Sequence, residues 1–311
     1  MRSILGRSIR PADTIAYLIT LTASGGIFGI TALVFFELFT GSELSRAKFG
    51  WNFLLTQVWD PVAGVFGALP FIYGTMVTSA LALMIAIPIG VGTAIFLAEQ
   101  APPKVSNLLT FLIELLAAVP SVIYGLLGVF VLVPILQSVV VPPLQTVFGF
   151  LPIFQGTFYG VSLFSAGVVL SIMIVPFVVS VSREVLLTVP REMKEASFAL
   201  GASAWQTTWK VTLPYARKGI YGSIFLALAR ALGETMAVTM VIGNTPQIKA
   251  SILAPGYTIA AVIANEFTEA TGDLYLNSLI ELGLVLFVVT FVLNGFARIL
   301  VMQTSKASGR V

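Results

Sequence analysis

The 311-residue chain contains no histidine and no cysteine. Without cysteine there are no disulfides and no thiolate chemistry. Without either residue, His-based acid–base catalysis and most zinc and iron sites are excluded. Charge is scarce too. Lys+Arg number 17 and Asp+Glu 14, only 10% of the chain, where a soluble domain carries roughly 25%. The net charge of +3 is scattered and forms no basic face for nucleic acid. No G-x-x-x-x-G-K-[ST] run occurs, so ATP is not held here by a P-loop.

What is present is apolar. Hydrophobic residues make up 57% and mean hydropathy is +0.98, values that no water-facing surface of this size accommodates. These values describe a polytopic membrane protein. Six apolar stretches, near 15–39, 72–98, 108–137, 163–187, 219–243 and 276–301, reach the ~20 residues that a crossing needs. All are expected to be helices, because lipid offers no partner to an open strand edge. The first run exceeds a signal-peptide core of ~7–15 residues and reads as a retained helix. With no linker or repeat, 1–311 is expected to form one transmembrane domain.

Basic residues set the orientation. Arg2, Arg7 and Arg10 precede the first span, and with both termini inside, 13 of the 17 Lys+Arg fall on the cytoplasmic side. Only Arg46, Lys48 and Lys249 fall outside, and Arg230 lies within a span. The expected location is a bacterial-type plasma membrane, crossed several times. In loop 40–71, Trp51 and Trp59 suit the outer interface. Loop 138–162 is uncharged and rich in proline and aromatics, which is compatible with a dip into the membrane where protein covers it. Pro88, Pro120, Pro134 and Pro176 are expected to bend their spans. Gly25 and Gly29 form G-x-x-x-G, a packing pattern that also arises from glycine abundance alone.

The cytoplasmic loop 188–218 reads as helix, glycine turn, helix. Pro190 suits a first turn, Glu192 and Glu195 sit near its positive end, and Met193, Ala196 and Leu200 follow helical spacing. Gly201 suits a C-terminal cap. Ser203 with Gln206 is a capping-box pattern for a second short helix, which Pro214 is expected to end. Two readings fit: a docking element for a partner, and an ordinary interfacial loop.

Arg230 and Glu234 pose the second question. Arg230 lies 11 residues into the stretch 219–243, ~16 Å along a helix and close to the bilayer midplane. Insertion there costs roughly 2.5–3.5 kcal/mol. On a continuous helix the i,i+4 spacing lets the two side chains touch. One reading is an oxyanion site, since guanidinium is always charged and presents a planar fork. Another is a structural ion pair. A third gives Arg230 a different partner, Glu114 or Glu281.

Two sets of motifs carry a resemblance. Glu195-Ala196-Ser197, Gly201 and Val211-Thr212-Leu213-Pro214 resemble the "EAA…G…I-x-LP" loop of ABC importer permeases, with Ser197 in place of a second Ala and Val211 in place of Ile. Arg230-Ala231-Leu232-Gly233-Glu234-Thr235-Met236-Ala237-Val238, Ile242-Gly243-Asn244-Thr245, the run 114–125 and Ala264-Asn265-Glu266-Phe267 resemble phosphate-importer permeases. Phe49-Gly50, Gly67-Ala68-Leu69-Pro70 and Ile72-Tyr73-Gly74-Thr75 favour the PstC type over the PstA type. The resemblance covers most of 45–300 and is weakest at 138–160.

The resemblance implies an all-α integral membrane fold of six transmembrane helices, the type I (MetI-like) ABC importer permease fold. It implies a non-catalytic subunit of an ATP-driven phosphate importer, with Arg230, Glu234 and Thr235 on the substrate path. Glu195, Ala196, Ser197, Gly201, Leu213 and Pro214 would couple to the ATPase. The implied partners are a second, homologous permease (PstA type), two ATPase subunits (PstB type), an extracytoplasmic phosphate-binding protein (PstS type) and membrane lipid. No cofactor or metal is expected on this chain, and ATP–Mg belongs to the ATPase. A permease for sulfate or molybdate is the nearest alternative. A channel or secondary transporter would have no use for the docking loop, and a membrane enzyme would need a convergent catalytic set that is not seen.

Overall fold

The structure is a computed structural model that describes residues 11–308; Arg2, Arg7, Arg10 and Arg310 lie outside them. Among the described residues the backbone is helical, with extended connections and one isolated bridge between Asp60 and Val65. The helices are α1 (Pro11–Gly41), α2 (Glu43–Phe49), α3 (Leu69–Ile95), α4 (Pro103–Ala117), α5 (Ser121–Phe148) and α6 (Leu163–Leu187). Then follow α7 (Arg191–Ala199), α8 (Ala204–Gly233), α9 (Met236–Ile242), α10 (Ile259–Glu266) and α11 (Asp273–Ser308). Five helices are long and apolar enough to cross a membrane, and the bent pair α8–α9 makes a sixth.

The expectations for the third span, for loop 138–162 and for Pro214 are corrected. The third span does not begin near 108. Pro120 adopts an extended ψ of 139°, as its ring and missing N–H favour. The chain before it forms the separate helix α4, and the crossing runs from Ser121 to Phe148. Much of loop 138–162 is therefore helix, because two π-type turns at 128–132 and 136–140 carry the span past Pro134. Pro214 does not end a helix. It stands in the first turn after a π-type turn at 208–212, and α8 continues through it. Pro88 and Pro176 do lie inside their helices.

α1 stands apart. Its side chains from 13 to 36 are exposed, and no atom lies within 4 Å of a Cβ placed on Gly25 or Gly29, so that motif packs nothing in this chain. Only its end meets α11, through Phe35 and Phe287 at 5.7 Å. The centre of the bundle is α3 against α6. Small residues (Ala82 and Ala86 on α3, Ala166 on α6) are fully buried there and let the backbones approach. Leu170, Met173, Ile174, Val238 and Ile242 fill the space around them.

At the end of the bundle opposite α7, an aromatic cluster joins the segment 49–71 to α10 and α11. Trp59 meets Phe66 at 4.8 Å and Phe71 at 4.9 Å, both edge-on. Each such pair contributes ~0.5–1.5 kcal/mol beyond its burial. Trp59 is thus an internal residue, unlike exposed Trp51. Its Nε1 donates to Glu266 Oε2 at 2.8 Å, and Tyr275 donates to the same oxygen at 2.7 Å.

The non-helical segment 243–258 is folded back into protein. Gly256 N–H donates to Ile242 O at 3.1 Å and Thr245 N–H to Gly256 O at 3.0 Å. Ile259 N–H donates to the buried Thr75 Oγ1 at 3.0 Å. A side chain at Gly74 would overlap the Tyr257 carbonyl, which is why the motif needs glycine there. Burial pushes the Tyr257 phenol up to about 12, so it stays neutral while accepting from Asn265 at 3.0 Å.

Thr75→Val keeps the shape and removes the acceptor, leaving Ile259 N–H unpaired at a cost of about 1–3 kcal/mol. The purified protein should then unfold at a lower temperature. An unchanged melting curve would refute this clamp.

Candidate functional site

The fifth crossing is broken where the two charges lie. α8 ends at Gly233, Glu234 turns extended with ψ 128°, and α9 leaves at 61° to α8. Arg230 is in the last turn of α8, where a cation opposes the negative helix end. Glu234 Oε1 accepts from Ala237 N–H at 3.2 Å, in the first turn of α9, where a carboxylate satisfies an orphan donor. Thr235 closes the corner. Its hydroxyl donates to Gly233 O at 3.3 Å, and its carbonyl accepts from the Thr239 hydroxyl at 2.8 Å. Each charge is matched to a helix end.

The expected contact between Arg230 and Glu234 is therefore absent. The helix that would have aligned them stops between them, and no carboxylate of the described residues lies within 4.0 Å of the Arg230 guanidinium. Glu114 is exposed on α4 and Glu281 is buried beside Ser45 and Arg46 of α2, so neither pairs with Arg230. Arg230 is exposed on this chain. Its guanidinium carbon lies 5.9 Å from the centre of the Phe177 ring on α6, a cation–π distance. Glu234 and Thr235 are half-buried. The result is a cation at the helix break of the fifth crossing, with no carboxylate beside it among the described residues and open to whatever lies beside the chain.

The loop element forms at the other end of the bundle. Pro190 is the residue before α7 rather than in its first turn. α7 closes with Gly201 N–H donating to Phe198 O at 2.9 Å and Ala202 N–H to Ser197 O at 3.2 Å. This double closure needs a left-handed residue, and Gly201 has φ +84°. The Ser203–Gln206 capping box is present in both directions. Ser197 and Thr207 hydroxyls meet at 2.9 Å, locking α7 to the start of α8. No residue of α7 is buried, and Leu200 is 90% exposed. Glu195 and Ala196 share that open surface. Leu213 packs into the cluster of Leu97, Leu186 and Ala216, and Pro214 is exposed.

One pair escaped the sequence reading. Lys194 Nζ lies 2.6 Å from Glu99 Oε1, with both side chains mostly covered. It ties α7 to the end of the second crossing. The available signal was that Glu99 is the only acid between 61 and 113.

The family model for "binding-protein-dependent transport system inner membrane component" matches residues 86–306. A Mesorhizobium japonicum chain named phosphate transport system permease protein PstC is 46% identical, over 96% of this chain and 92% of its own. A chain of that name from Pasteurella multocida is 46% identical over 91% and 90%. A probable one from Methanocaldococcus jannaschii is 36% identical over 89% and 90%. The fold is that of type I ABC importer permeases. An inward-facing MetNI methionine ABC transporter aligns with a TM-score of 0.55 at 17% identity, covering 79% of this chain and 99% of its own. A bacterial alginate ABC transporter aligns with 0.57 at 16%, covering 93% and 96%. The chain belongs to the family of binding-protein-dependent inner-membrane permeases.

Glu234→Ala removes the carboxylate from the start of α9, worth about 0.5–2 kcal/mol by analogy with other helix caps. Amide exchange at 237–241 should accelerate, and Glu234→Gln should restore part of the protection. Unchanged exchange in both variants would show that the carboxylate does not hold the break.

Proposed function

We propose that this family member is the PstC-type permease subunit of an ATP-driven phosphate importer. The carrying observation is the lone guanidinium of Arg230 at the break of the fifth span, exposed on this chain. A permanent cation in hydrocarbon is costly, and a passing oxyanion offsets that cost. The 46% identity to chains named for phosphate transport supports phosphate as that ion.

In this reading a homologous PstA-type permease covers the Arg230 face, and the path runs between the two. Arg230 holds phosphate through its donor fork. Glu234 and Thr235 keep the helix corner open in front of it. Because Glu234 is engaged with the start of α9 rather than with Arg230, the cation is available to the anion. Nothing covalent happens on this chain. ATP–Mg is bound and hydrolysed on two PstB-type subunits, and a PstS-type protein delivers phosphate outside.

The exposed α7 surface is the ATPase seat, with Glu195, Ala196, Ser197 and Gly201 on it and Leu213–Pro214 behind it. ATP drives the change only if the ATPase grips α7 differently in its two states. Orientation follows the basic residues, with both termini and α7 in the cytoplasm and the aromatic cluster outside.

Two outcomes are expected. Arg230→Gln should lower labelled-phosphate uptake at least tenfold in vesicles holding the whole complex, with assembly intact and excess sulfate a poor competitor of the wild type. Wild-type uptake by the variant would refute the path assignment. Gly201→Leu, strained at a left-handed position, or Ala196→Asp should lower the ATPase recovered with the permease. Normal co-purification with either would refute the docking role.

A further inference from the structure

Glu281 is a carboxylate inside a span that the transport reading leaves unused. It is 5% exposed, and its Oε2 has no hydrogen-bond partner. Its polar neighbours are Ser45 and Arg46. The Ser45 hydroxyl also meets Ser278 at 3.1 Å. Arg46 lies beyond the 4.0 Å of an ion pair. Its guanidinium is held 3.7 Å over the Phe39 ring, with Nε donating to Ser42 Oγ at 3.0 Å and Nη2 donating to the Phe39 carbonyl. A buried carboxylate oxygen without a donor is expensive, so the arrangement points to a missing group.

Arg46 and Glu281 line the same groove, of about 540 Å³. The remaining wall is mainly apolar and includes Trp51, Ile72, Leu284 and Val288. The order along α11 is informative. Glu281 is ~12 Å from the start of α11 at Asp273, and Val288 is ~10 Å deeper. On α11 the groove therefore carries its carboxylate on the Asp273 side of its apolar walls, with Arg46 supplied by α2.

We propose that this groove holds one phospholipid whose headgroup ends in a primary amine. The phosphodiester lies against Arg46, the ammonium donates to the Glu281 carboxylate, and one acyl chain runs along Leu284 and Val288. The groove offers one cation and one anion, as a zwitterionic headgroup requires. A choline headgroup has no N–H to give the orphan oxygen, and a glycerol headgroup brings no positive charge. In the orientation proposed above, the bound molecule belongs to the outer leaflet.

Native mass spectrometry of the purified, delipidated full chain tests this with dioleoyl phosphatidylethanolamine, phosphatidylcholine and phosphatidylglycerol. One ethanolamine lipid should bind about tenfold tighter than the choline lipid, the worth of one charged hydrogen bond. Glu281→Gln should erase that preference. Arg46→Gln should weaken all three lipids. Leu284→Trp should fill the groove and displace every lipid without altering charge, which keeps the proposal testable if Glu281→Gln fails to fold. Equal affinity of the wild type for ethanolamine and choline lipids would overturn the proposal, as would a preference that survives Glu281→Gln. The assembled complex is titrated in parallel. Loss of the ethanolamine site there would assign the groove to the second permease and also overturn it.

Discussion

Backbone in hydrocarbon has to satisfy its own polar groups, and the break in the fifth span is governed by that demand. The fifth span stops at Gly233 and restarts at Met236. The donors exposed at the restart receive the Glu234 carboxylate, and the Thr235 carbonyl is taken by Thr239. The extended segment 243–258 survives because α6 and α9 supply partners to its amides and carbonyls, and Thr75 holds the first amide of α10 just beyond it. Without those partners a straight, continuous helix would be the cheaper structure, and Arg230 would then lie beside Glu234 and be neutralised by it. The break therefore creates the electrostatics of the site.

This also shows how far residues alone could lead. Apolar runs of sufficient length marked the crossings, because the bilayer tolerates little else. The capping box at Ser203 and the glycine closure at Gly201 were legible because each rests on a local backbone requirement. The break at 234–235 was not. Gly233-Glu234-Thr235 holds no proline, and helical spacing offered the simplest geometry for Arg230 and Glu234. What selects the corner is tertiary: Ala237 and Val238 are drawn into the core against α5 and α6. The continuation of the third span past Pro134 was hidden for a related reason. Two π-type turns absorb the register change, and hydropathy carries no trace of them.

Three sets of charged residues within or beside the spans show three different physical situations. Glu99 and Lys194 meet directly across two elements. Arg230 and Glu234 are close in sequence yet each serves a helix end. Glu281 is buried, with one oxygen unanswered. A carboxylate count would have treated these acids alike, and only their surroundings separate a tie, a corner and a vacancy for a lipid amine.

α8 runs from Ala204, beside α7, through the π-type turn at 208–212 to Gly233, three residues past Arg230. At 1.5 Å per residue this is a strut about 44 Å long. A tilt of about ten degrees pivoted at one end would swing the other by about 8 Å, on geometry alone. Force applied at the α7 end therefore reaches the guanidinium along a single lever arm, and the kinked joint at Glu234 is where that arm hands its motion to α9.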